Sequence, residues 1–116
     1  MKGDILLLIL IVCTLTACSS SSTEPINHPP EIVRLTATPS TIVGPDIAAL
    51  KVVARDEDGD ELTYTWSAEH GEIATSSNPT RATWFSRNVG PSDYTVTCSV
   101  SDGKDATTGS VTVTVL

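Results

Sequence analysis

Six consecutive positions, Asp56-Glu57-Asp58-Gly59-Asp60-Glu61, carry five carboxylates. Like charges crowded into one short loop repel unless a cation lies among them. Calcium takes about six to eight oxygen ligands, many of them carboxylate. The order Asp-x-Asp-Gly-Asp is not that of a helix-loop-helix calcium loop, which spreads its ligands further and ends on a distal Glu. Two readings stay open: a calcium loop, or a solvated hairpin turn in which Asp58-Gly59 supplies the positive φ of a tight turn. Catalysis finds little support. A nucleophile needs an adjacent base, and the only histidines, His28 and His70, have no serine–acid partner by spacing. No Cys/His cluster suits zinc. A carboxylate pair for glycoside hydrolysis can be drawn from the acidic run, but nothing suggests a surrounding cleft. The chain reads as a non-enzyme.

The cysteines are Cys13, Cys18 and Cys98. Ile5 to Val12 is an unbroken apolar run, too short to span a bilayer as a helix but suited to a signal-peptide core. The string Leu15-Thr16-Ala17-Cys18 resembles the lipobox of bacterial lipoproteins. The resemblance implies a leader, residues 1–17, cleaved before Cys18, with diacylglycerol on the Cys18 sulfur and a further fatty acyl chain such as palmitate on the new amine. One chain holds a protein to a membrane marginally; two or three tether it durably. Residues 18–30 are then the lipidated cysteine and its tether. Ser19 to Ser22 make the first part flexible, and Pro25, Pro29 and Pro30 stiffen the second. The resemblance places the protein in the bacterial cell envelope. Ser19, in place of the aspartate that retains such proteins at the inner membrane, favours the outer membrane of a host that has one. The alternative is an ordinary secreted protein with a chance cysteine.

With 116 residues the chain has room for one domain. Its net charge of −7, from 7 basic and 14 acidic residues, argues against nucleic acid and against charge-driven binding to anionic lipid.

These residues need elements to position them. From Glu31 onward the apolar period is two, not 3.6. Val33, Leu35 and Ala37 alternate with polar residues, as do Leu62, Tyr64 and Trp66, then Tyr94, Val96, Cys98 and Val100, then Val111, Val113 and Val115. Leu50, Val52 and Ala54 keep the same spacing, and a shorter run, Arg81 to Ser86, holds Trp84 and Phe85. Turn signals such as Gly44-Pro45, Asp58-Gly59, Asn78-Pro79 and Asp102-Gly103 separate the runs. Six or seven short antiparallel strands in residues 31–116 predict an all-β, immunoglobulin-like sandwich.

The order Pro29-Pro30, Ala54-Arg55-Asp56-Glu57-Asp58-Gly59-Asp60, Leu62-Thr63-Tyr64-Thr65-Trp66, Ala82-Thr83-Trp84, Tyr94-Thr95-Val96-Thr97 and Val100-Ser101-Asp102-Gly103 resembles the PKD and related bacterial Ig-like domains. The resemblance covers residues 28–116. It implies a β-sandwich used as a spacer or as a protein- or glycan-contacting module. Its topology would bring Asp56, Asp58 and Asp60 near Asp102 and near Asn27 at the tether's end. Some PKD-like domains hold calcium at such a place, and a cation there would pin the tether to the domain. Cys98 sits where antibody-type domains carry half of their disulfide, yet the facing strand, Leu50 to Arg55, has no cysteine. A buried thiol filling core space is the plain reading, a reactive or metal-binding one the alternative.

Binding residues are sought among exposed aromatics and their neighbours. Trp84 takes the inward position, which leaves Phe85 outward or at an edge. The turns opposite the tether carry His70, Arg87 and Asn88, so a partner would touch this tip or the Phe85 edge. The sequence therefore predicts a lipid-anchored, non-catalytic envelope protein that presents a contact or spacer surface. The alternative is a structural accessory lipoprotein of a larger envelope or surface assembly, stabilised by calcium.

Overall fold

A computed structural model describes residues 26–116. The expected leader, Cys18 and the first part of the tether lie outside the described residues. Eight strands and no helix occupy the described residues: β1 Glu31–Thr38, β2 Thr41–Ile42, β3 Ile47–Arg55, β4 Thr63–Ala68, β5 Glu72–Thr75, β6 Arg81–Phe85, β7 Ser92–Ser101 and β8 Ala106–Val115. They form two four-stranded sheets, ordered β1-β3-β6-β5 and β2-β8-β7-β4. The side chains between the sheets make the core.

Alternation accounts for most of that core. β3 turns Ala48, Leu50 and Val52 inward, β6 Ala82 and Trp84, β7 Val96, Cys98 and Val100, and β8 Val113 and Val115; all are buried. Each inward residue is followed by one facing water, as the pleat requires. Cys98 is a free thiol packed with Val52 and Val100, and burial pushes its pKa up to about 11.

The structure departs from the period-two reading in three places. In β1 the expected inward set Val33, Leu35, Ala37 is wrong at its first member. A bulge between Ile32 and Arg34 shifts the register against β3, so Ile32 packs inward and Val33 is 50% exposed. One extra residue reverses the parity of what precedes it. β5 carries a single inward apolar residue, Ile73, opposite Trp84, so alternation does not reveal it. β2 is two residues long and pairs parallel with the end of β8, Thr41 with Thr114 and Ile42 with Val115, so the sandwich has eight strands and is not wholly antiparallel. The step from β1 to β2, through the cis Thr38–Pro39 bond, carries the chain from one sheet to the other.

Trp84 is fully buried, and its indole N–H donates to the His70 carbonyl at 2.8 Å. That contact leaves no room beside it. A Cβ on Gly71 would lie 2.6 Å from Trp84 Nε1 and 2.6 Å from the Phe85 carbonyl, and Gly71 has φ +79°. Only glycine meets both demands.

Candidate functional site

The register sorts the turns into two ends. Pro30, the Asp56–Leu62 loop and the Asp102–Asp105 turn lie at the end where the tether joins. The Thr38–Asp46 segment, the His70 turn, the Arg87–Pro91 loop and Leu116 lie at the other, the tip.

At the tether end, the Asp56 carboxylate organises its own loop. Its Oδ1 accepts the amides of Asp58 at 2.8 Å and Asp60 at 3.3 Å, and Gly59 turns at φ +75°. The other oxygen, Asp56 Oδ2, is buried and accepts no hydrogen bond from any described residue. Carboxylate oxygens of Asp56, Asp58 and Asp60 lie within 4.8 Å of one another. Asp102, 8% exposed, stands beside them. Its Oδ1 accepts the amides of Lys104 at 2.8 Å and Asp105 at 2.7 Å, and its Oδ2 accepts Asn27 Nδ2 at 2.9 Å. The Asp105 amide, the Asn27 side chain and the Lys104 amide hold the Asp102 pKa down to about 2, because each favours the charged carboxylate.

The five expected calcium ligands, Asn27, Asp56, Asp58, Asp60 and Asp102, thus share one end. Asn27 presents its amide nitrogen, not its oxygen, to this cluster: Nδ2 also donates to Asp105 at 2.7 Å. His28 was no part of the expected set, yet it joins the loop. Its backbone N–H donates to Asp58 Oδ2 at 2.7 Å, and its ring Nδ1 lies 2.9 Å from Asp58 Oδ1. The Asp58 hydrogen bond, reinforced by Glu57, raises the His28 pKa; the His28 backbone and ring in turn lower that of Asp58. Thr107 Oγ1 donates to the Pro30 carbonyl at 2.6 Å. The last residues of the tether are stitched to the sandwich by direct hydrogen bonds.

At the tip, a hollow of about 520 Å³ is lined by Glu69, His70, Asn88, Asp93 and Tyr94 among others. The ring of Tyr94 stands between His70, edge-on at 5.8 Å, and Trp84 at 5.5 Å, and its hydroxyl donates to the Gly90 carbonyl at 2.6 Å. Asn88 holds φ 60° in the loop above. Carboxylate, amide and ring groups here converge on one concavity. The expected binding set is divided by the structure. His70 and Asn88 border the hollow. Phe85 and Arg87 do not: Phe85 faces outward from the first sheet, half-buried, with the Arg87 guanidinium 5.2 Å above its ring and 3.8 Å from Glu72. Glu69, Asp93 and Tyr94 were missed, since nothing local marks residues that meet only across strands.

A family model described as PKD domain matches residues 33–115. Among solved structures the fold is similar to the N-terminal Ig1-2 module of the Drosophila receptor protein tyrosine phosphatase DLAR, with a TM-score of 0.55 and 18% identity, over 77% of this chain and 50% of that one. It is also similar to human protocadherin-24 EC1-2, with a TM-score of 0.52 and 23% identity, over 78% of this chain and 44% of that one. The chain spans half or less of the length of either, and the likeness is one of fold. No curated protein sequence matches it.

Proposed function

The chain belongs to the PKD domain family, and from that premise we propose that it is a non-catalytic contact module, held at the bacterial envelope by acyl chains on Cys18. PKD domains are, as a class, structural and binding modules rather than enzymes, and the sandwich carries the Ig-like architecture of that class. The observation that carries the reading is the polarity of the domain. Asn27 and His28 are bonded to Asp102, Asp105 and Asp58 at one end, and the polar hollow bordered by His70 and Asn88 opens at the other. A tether bonded to one end directs the opposite tip outward, where an envelope protein or a glycan can reach it. The test combines two measurements on the full chain in its host. Mass spectrometry of the mature amino terminus should find an acylated Cys18. Photo-crosslinkers at position 88 should capture one defined partner that a crosslinker at position 58 does not. An unacylated terminus sinks the anchoring. Capture confined to position 58 sinks the orientation.

A second reading, a calcium-stabilised accessory lipoprotein of a larger envelope or surface assembly, is favoured by one atom. Asp56 Oδ2 is buried beside the Asp58 and Asp60 carboxylates without a donor among the described residues. An oxygen-rich set of that kind suits calcium, with Asp56, Asp58, Asp60 and Asp102 as the residues that would hold it. Thermal melts in calcium and in chelator decide it, and equal melting temperatures discard the site.

A further inference from the structure

Six basic side chains lie among the described residues: Arg34, Lys51, Arg55, Arg81, Arg87 and Lys104. Five of them stand on the outer face of the β1-β3-β6-β5 sheet, although the whole chain carries a charge of −7. Arg55 is bonded to Glu31 at 2.8 Å and Arg87 lies 3.8 Å from Glu72. Arg34, Lys51 and Arg81 are exposed and have no acidic partner within 4.0 Å among the described residues. The register sets Lys51 directly opposite Arg81, and Arg34 opposite Val53, one diagonal step from Lys51. Directly opposed positions have Cβ atoms about 5 Å apart, and like charges so placed destabilise a sheet. Glu31 and Glu72 on this face are taken by Arg55 and Arg87, and apart from Asp46 the other acids of the described residues lie in the Asp56–Glu61 loop, the Asp102–Asp105 turn and the tip hollow. An anion from outside would remove the repulsion.

We propose that this band, Arg34, Lys51 and Arg81 across three adjacent strands, binds an acidic polysaccharide. The three cations stand on strands about 4.8 Å apart, a spacing suited to successive carboxylates along a uronate chain. Their neighbours, Ala49, Thr36 and Thr83, make a shallow surface on which an extended chain can lie. Val53 and Ile47, 37% and 48% exposed on the same face, offer aliphatic contact to sugar C–H groups. Nucleic acid fits poorly. The one aromatic ring of this face, Phe85, is already covered by Arg87, so no platform is free for bases. The band is separate from the hollow at the tip.

The test is affinity electrophoresis of the full-length chain in detergent, in gels containing polygalacturonate or its fully methyl-esterified form. Chelator is present throughout, so that no cation bridges the acidic loop to the polymer. The acidic polymer should retard the protein and the esterified polymer should not. Retardation should fade with salt, because exposed charges are screened. The K51Q/R81Q variant should bind about tenfold more weakly while melting no lower than the parent, since an opposed like-charge pair has been removed. T112A, on an exposed position of β8 in the other sheet, should bind as the parent does. Equal retardation by both polymers, none by either, or unchanged binding by K51Q/R81Q overturns the proposal. Binding lost in N88A but kept in K51Q/R81Q also overturns it, while leaving the tip as the contact surface. Co-sedimentation with phosphatidylglycerol vesicles, lost in K51Q/R81Q and without any retardation by polygalacturonate, would assign the face to a membrane and overturn it as well.

Discussion

At the tip the chain is closed by rings: Trp84 is fully buried against Tyr94, and its indole N–H secures the His70 turn. At the tether end it is closed by carboxylates, with Asp102 accepting three donors and Asp56 and Asp58 gathering loop and tether amides. Apolar packing responds weakly to pH and salt, whereas carboxylate bonds hold only while the carboxylate is charged. One domain therefore has one end whose closure by ring packing is indifferent to pH and salt and a second end whose cohesion depends on the medium. The tether is bonded to the second.

The largest effect should come from removing the ring that closes the tip. Trp84→Ala should cost about 3–5 kcal/mol in denaturant unfolding; a cost below about 1 kcal/mol would mean that the tip is not held by this packing. Gly71→Ala should destabilise by more than about 1 kcal/mol, because the methyl group meets both Trp84 and the Phe85 carbonyl at a positive φ; an unchanged melting temperature would contradict that contact. Acid should act on the other end. Asp102 falls from an unfolded value of about 3.9 to about 2 in the fold. Its contribution is thus complete above about pH 4 and is lost as pH falls towards 2. Measured against the intrinsic exchange rate at each pH, protection of the Lys104 and Asp105 amides should fall over that range while the amides around Trp84 stay protected, and simultaneous loss at both ends would erase the contrast. Asn27→Ala should cost less than about 1 kcal/mol, yet speed proteolysis in the tether before Pro30. The smallest effect concerns Cys98. With its pKa pushed up to about 11 by burial, it should resist alkylation at pH 8 until the domain unfolds.

The legible parts of the fold are those where one strand speaks for itself. Val96, Cys98 and Val100, or Leu50 and Val52, reveal their inward face by spacing alone. β5 and β2 do not, because Ile73 and Ile42 are the single inward apolar residues of their strands and become strand positions only once Trp84 or Val115 lies alongside. The site divides in the same way. The acidic loop is visible as composition, and Asp102 as its partner through the family resemblance. His28 on Asp58, Asp105 on Asn27, and Glu69 with Asp93 around Tyr94 join residues far apart in the chain, and no local pattern encodes those meetings.

Alternation is a local property: it follows from the two-residue pleat and is written into each strand before any partner is chosen. It was enough to establish a two-layer sandwich and most of its core. Partner choice is not local. Lys51 faces Arg81 across thirty positions of sequence, and the slip at Val33 exists only against β3. Which charges share a face, and which atoms bond the tether to its end, His28 to Asp58 and Asn27 to Asp105, emerged only when the strands took their neighbours.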